Sequence, residues 1–339
     1  MRTTAGTIAI SNLDAQIDGQ LQPVLRAQLG VAEWAGLIEL IALRGTLLSR
    51  VADLEWAASW AEQLVHDAPA DGPALVTRAR MRALLHRFDD ALSDVDLAQH
   101  LEVAPPVVEG ERAAIYQAIG RYDEALRLRR GAVEHRADFE SLGALAGLYA
   151  DRAQIDTAEP LFDEARRHFR GVSPFPLALL DFQRGCMWMG HGELVRARTS
   201  LAAACRRVPD YAPAQGHLAE VEAELGEVDA AVGRLLPLTA SSDDPDYPAQ
   251  LARILCKAGR EPEARRWRSL AGARYDDLMI SHPAAFADHA AAFWLTDNND
   301  APKALRCARK NFEVRPTPRA TELLSRAEAA NVSPGQGHG

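Results

Sequence analysis

The chain has 339 residues, 47% of them hydrophobic but only 6% aromatic, and a formal net charge of -9. No stretch approaches the ~18 consecutive apolar residues of a membrane span, and the acidic balance offers no broad basic surface to a nucleic-acid backbone. A core of this composition is built mainly from alanine, leucine and valine at helical spacing.

Residues 1–11 read as a flexible start. The opening MRTTAGTIAISNLDAQIDG lacks the apolar run and small-residue cleavage site of a secretory signal, so a cytoplasmic protein is expected. Residues 12–37 place Leu13, Ile17, Leu21, Val24, Leu25 and Leu29 at helical intervals around Pro23, which predicts capping helices, with Trp34 set to pack on the segment that follows.

From 38 to 316 one small residue recurs: Ala57, Ala91, Ala125, Ala158, Ala197, Ala231, Ala264 and Ala304, at gaps of 34, 34, 33, 39, 34, 33 and 40. Twelve residues before each stands a second small residue: Gly45, Ala79, Ala113, Ala146, Gly185, Ala219, Ala252 and Ala292. Such pairs let two antiparallel helices approach closely. Between them Gly120, Gly192, Gly226, Gly259 and Asn299 tolerate the positive φ of a helix end. Leu54, Phe88, Tyr122, Ile155, Leu194 and Val228 follow in the first turn of the second helix, and Pro69, Pro209 and Pro316 punctuate the units. A period near 34 predicts helical hairpins, each stacking on its neighbours because none buries its apolar face alone. One solenoid of about eight units accounts for the length better than two globular domains.

The two long gaps hold RGVSPFP (170–176), a proline-broken linker, and LAGARYDDLMISHP (270–283), read as a second helix running on to about Ser281. Residues 317–330 form a final amphipathic capping helix. The tail 331–339 is expected to be disordered.

The units AAIYQAIGRYDEALRLRRGA (113–132), LAGLYADRAQIDTAEPLFDEA (145–165) and Leu177 to Pro209 resemble tetratricopeptide repeats in their small, aromatic, glycine, aromatic, alanine, alanine, proline order. The resemblance implies an all-α, right-handed superhelical solenoid that serves as a protein-protein interaction scaffold or adaptor. Segments 43–57 and 282–295 are similar to a group of bacterial members, which lends no activity. Arg78, Arg82, Arg129 and Arg268 depart from the pattern where large apolar residues are usual. Family members that clamp a chaperone's terminal carboxylate use basic residues and asparagine on the first helices; at the matching positions of the first unit this chain has Ala42 and Thr46.

A partner is expected on the concave face lined by the first helices. Helical spacing places Glu39, Thr46, Arg50, Thr77 and Arg80 there, then Glu111 and Gln117, then a small-residue floor of Gly143, Gly147 and Ala150. Phe182, Gln183, Cys186 and Met189 follow, then His217, Glu220 and Glu224, Arg253 and Lys257, and last His289, Phe293 and Asp297. Small residues admit a ligand backbone, Phe182, Met189 and Phe293 supply apolar contacts, and the charges set register, which suits a peptide or helix of another protein. Glycine-rich phosphate loops, GxSxG and HExxH are absent, so neither an enzyme nor a cofactor is expected. The alternative is a metal-dependent enzyme or metal sensor using His217, Glu220, Glu224 and His289. Cys186, Cys205, Cys256 and Cys307 form no CxxC pair and read as free thiols. Oligomeric state and pathway are left open.

Overall fold

In the computed structural model, residues 3–22 and 29–332 are described. They form eighteen helices and no strand. A leading helix α1 (Gly6–Leu21) is followed by eight hairpins: α2 (Val31–Leu48) with α3 (Val51–Asp67), α4 (Gly72–Leu84) with α5 (Phe88–His100), α6 (Pro105–Ala118) with α7 (Tyr122–His135), and α8 (Phe139–Asp151) with α9 (Ile155–His168). Then come α10 (Phe175–Gly190) with α11 (Leu194–Arg207), α12 (Ala212–Glu224) with α13 (Val228–Ser241), α14 (Asp246–Lys257) with α15 (Glu261–Ser281), and α16 (Pro283–Thr296) with α17 (Ala301–Val314). The last helix is α18 (Pro318–Val332).

All eight recurring alanines of the second helices are fully buried, at 0% exposure. The small residues opposite them set how close the helices lie: a Cβ on Gly185 would fall 2.6 Å from Leu201 Cγ, so only glycine permits that approach. Gly120, Gly192, Gly226, Gly259 and Asn299 all have positive φ, and Ser49, His86 and Ala153 take the same role in hairpins without a glycine. The last hairpin breaks the register. Its turn spans four residues, 297–300, against three at 85–87 and 191–193, so Ala291 is buried at 0% and Ala292, expected there, is only half-buried.

The arginines that replace apolar residues in hairpin 2 are answered across helices. Arg78 forms a two-point bridge to Asp94 (3.0 and 2.6 Å), and Arg82 bonds Glu62 (2.9 and 2.8 Å) and Asp94 (2.9 Å). Asp94 is nearly inaccessible at 3%, so the pairing offsets the cost of removing its charge from water.

Two expectations are corrected. The N-terminus is helical from Gly6, not flexible to residue 11, because Ile10, Leu13 and Ile17 enter the same core as Leu37, Ile38 and Ile41. Thr4 N–H donates to the carbonyl of Val172 (2.8 Å), so α1 spans from hairpin 1 to the start of hairpin 5. Trp34 packs edge-on against Trp60, with centroids 4.9 Å apart. Pro23, Val24 and Leu25 lie outside the described residues, as does 333–339 of the expected tail.

The second correction concerns shape. The inner wall is not an open curve, because the solenoid completes a turn and touches itself. Ser49 Oγ lies 2.6 Å from Tyr247 OH, His86 Nδ1 3.0 Å from the Ala284 carbonyl, and Arg315 Nε donates to the Ala118 carbonyl at 3.2 Å. Their sequence separations are 198, 198 and 197 residues, a constant superhelical period of about six hairpins. Asp243 completes the seam by accepting from the backbone N–H groups of Val51 (2.5 Å) and Ala52 (3.0 Å), capping α3 from the far side of the ring.

Candidate functional site

The first helices of successive hairpins line the lumen, so residues about one unit apart face each other across neighbouring helices. Gln117 donates to Asp151 (2.7 Å), Arg253 to Glu220 (3.3 Å) and Lys257 to Glu224 (2.7 Å), at separations of 34, 33 and 33 residues. Arg80 bonds Glu111 at 2.7 Å and also pairs with Glu39, while Arg253 is held on its other side by Asp297 (3.1 Å). The predicted charges therefore mostly answer one another.

The same pairing dismantles the metal candidate. His217 Nδ1 meets Glu220 at 3.0 Å, but Glu224 is engaged by Lys257, and His289 sits 3.4 Å from Asp246 and 3.9 Å from Asp288. The four do not converge, and among the described residues no group of three or more histidine, cysteine, aspartate or glutamate side chains is arranged to hold a metal ion. His289 is half accessible from the lumen yet surrounded by protein. Asp288, first, and Asp246 raise its pKa to about 10, while they in turn are held below the usual carboxylate range. Burial and the neighbouring Asp246 push Asp244 up to about 6.

Phe293 is not a groove residue. It is fully buried between Tyr275 (centroids 5.1 Å apart) and Trp294 (4.8 Å), because the longer last turn shifts α16 by one position and brings Asp288 and Ala292 to the lumen. Thr77 is buried at 3% exposure, and Gly143 faces Leu180 of the next first helix.

What the structure does assemble is a cleft of ≈ 360 Å³ along hairpins 3 to 5. Gly147 and Ala150 form its floor, with Gln117 and Gln183 on either side and Phe182 and Cys186 behind. A Cβ on Gly147 would lie 3.9 Å from Gln183 Oε1 and 4.0 Å from Gln117 Nε2, so both amides meet over bare backbone. Phe182 is braced by Tyr211 (5.3 Å) and His217 (5.4 Å), and Met189 packs partly into the core nearby. Burial pushes the Cys186 thiol up to about 12, so it remains a neutral part of the wall. Two lumen residues escaped the sequence reading: Asp151, whose carboxyl burial pushes upward, and Arg319, which reaches the cleft from α18. Asp151 was discoverable, since it stands one repeat after Gln117; Arg319 depends on ring closure and left no local signal. A second cleft, ≈ 540 Å³, runs along hairpins 1 to 3 and contains Thr46, Arg80, His86, Glu111 and Arg315.

No protein-family model and no curated protein matches the chain. Among solved structures, it is similar to the human IFIT1 dimer with m7Gppp-AAAA, at 13% identity and a TM-score of 0.60 over 96% of this chain and 77% of that one. It also resembles a chain of the APC/C hetero-tetramer Cut9-Hcn1, at 15% identity and a TM-score of 0.52 over 89% of this chain; here it spans only 57% of the other's length. Identities this low speak to fold alone. The fold is that of the tetratricopeptide-type helical repeat solenoids, all-α throughout the described residues. No helix among those residues is long and apolar enough to cross a membrane.

Proposed function

We propose that the protein is an interaction scaffold that receives an extended peptide segment of a partner protein in the cleft over Gly147. One observation carries this reading: two primary amides flank a floor without side chains, Gln117 spending one N–H on Asp151 and Gln183 none, whereas the arginines farther along the wall are locked to carboxylates. An amide can donate to a peptide carbonyl and accept from a peptide N–H at once, and a glycine floor lets a main chain approach closely enough for both bonds. Gln183 has no hydrogen-bond partner among the described residues, so it is free for that role. Phe182 and Cys186 supply an apolar back wall for a side chain.

The test is selection of peptides from a random phage-displayed library on the wild-type chain, followed by fluorescence anisotropy with Gly147→Leu and Gln183→Ala. Gly147→Leu fills the cleft and is expected to weaken selected peptides at least tenfold, about 1.4 kcal/mol, at an unchanged melting temperature. Equal binding by all three proteins would place the peptide elsewhere.

A further inference from the structure

The terminal helix brings a row of arginines into the lumen. Arg319 and Arg326, seven residues apart on α18, share one helical face, and Arg315 stands just before them in the turn after α17. They line a cavity of ≈ 210 Å³ enclosed between α16, the end of α17 and α18. Arg315 also borders the cleft of hairpins 1 to 3, and Arg319 the cleft of hairpins 3 to 5, so the cavity shares one arginine with each.

The charges around it do not balance. Arg315, 3.7 Å from Asp288, and the protonated His289 share Asp288 and Asp246. Neither Arg319 nor Arg326 has an ion-pair partner among the described residues, although Glu322 and Asp288 line the same cavity and Asp151 lines the cleft that Arg319 also borders. Among the residues that line the cavity three arginines meet two carboxylates, Asp288 and Glu322, an excess of one positive charge within a chain whose net charge is -9.

Asn311 supplies a second, independent observation. It is only 5% exposed, borders the cavity, and its side-chain amide has no hydrogen-bond partner among the described residues. An amide donor without a protein partner beside two unpaired guanidinium groups marks a place for an acceptor. Guanidinium groups hold phosphate and carboxylate oxygens through paired, charge-assisted hydrogen bonds.

We infer that this cavity is an anion site, binding a phosphate or carboxylate group through Arg319, Arg326 and the amide of Asn311. It shares Arg319 with the peptide cleft but rests on Arg326 and Asn311, which lie outside that cleft, and so does not require a peptide over Gly147.

The experiment titrates the full chain with inorganic phosphate, and in a second arm with citrate, by isothermal calorimetry at constant ionic strength. Saturable binding of one anion per chain is expected, weakened at least tenfold in the double variant Arg319→Gln with Arg326→Gln. Both side chains are exposed and unpaired, so an unchanged melting temperature should accompany that loss. If the double variant melts earlier, Arg326→Gln alone is compared with Arg326→Lys, and only the glutamine should lose affinity. Binding in one arm or both identifies the natural group as phosphate-like or carboxylate-like. Absence of saturable millimolar binding in both arms, or equal binding by wild type and the glutamine variants, would overturn the inference.

Discussion

Hairpins 3 and 5 carry similarly legible repeat signatures and are built very differently. In hairpin 5, α10 buries Leu177, Leu180, Met187 and Trp188, and α11 buries Leu201, Ala204 and Cys205 beside Ala197. In hairpin 3, α7 buries Ala125 alone. Arg127, Arg129 and Arg130 crowd α7; Arg130 reaches Tyr149 OH (2.8 Å), while Arg129 Nε is enclosed with no partner. The signature residues thus define the turn and the closest helix contact. They do not measure how much apolar surface the unit removes from water, which decides its stability.

If hairpin 5 is the tightly coupled one, its charges should matter most. Asp181 is 2% exposed and receives Arg166 of hairpin 4 and Arg207 of α11, the latter at 2.7 Å. Asp181→Ala leaves two guanidinium groups facing an apolar core. A loss of about 3 kcal/mol is expected in urea unfolding, the low end for breaking a buried pair because both arginines still touch solvent. A loss below that of a surface substitution would show the pairing to be incidental.

A glycine in the same hairpin gives the next largest effect. Gly185→Ala brings a methyl group within 2.6 Å of Leu201 Cγ and 3.2 Å of Leu201 N, and the backbone atom cannot move aside as a side chain can. Overpacking of this kind should cost about 2 kcal/mol. An unchanged urea midpoint would mean that α10 and α11 separate freely, and the contrast with hairpin 3 would collapse.

These contacts also show which parts of the molecule the sequence could reveal. The small residues at Ala57 through Ala304 and the positive φ of Gly120 or Asn299 are local requirements, repeated in every unit, so periodicity exposes them. Asp243 capping α3 is not local: it depends on small rotations accumulating over six hairpins, and no residue near 243 announces a partner near 51. The site follows the same division. Spacing along their own helices puts Gln117, Phe182 and Gln183 on the inner face, and all three line the cleft. Phe293 is not on that face, because a single extra turn residue rotated its helix, and Glu224 is taken by Lys257 from a unit away.

In hairpin 3 a charge should be a liability. Burial lowers the Arg129 pKa, Glu111 compensates only weakly, and no ion pair forms. Arg129→Met keeps the length of the side chain while removing the unpaired donor, and a gain of about 1 kcal/mol is expected. Destabilisation by the same amount would reveal that the guanidinium head, not its stem, supports α7.

The smallest effect makes the comparison sharpest, because the chemistry is the same as in the glycine test of hairpin 5 and only the surroundings differ. Gly131 lies in the last turn of α7, exposed, and a Cβ there would meet nothing within 4 Å. Gly131→Ala adds no contact in the folded state; it removes conformations from the unfolded chain and favours the helix. A gain of about 0.5–1 kcal/mol follows, read as a higher urea midpoint at an unchanged slope. Opposite signs for Gly131→Ala and Gly185→Ala would separate the two hairpins by packing alone. If both substitutions lowered the midpoint, α7 would have to be held by a close neighbour at Gly131, and hairpin 3 would be as tightly built as hairpin 5.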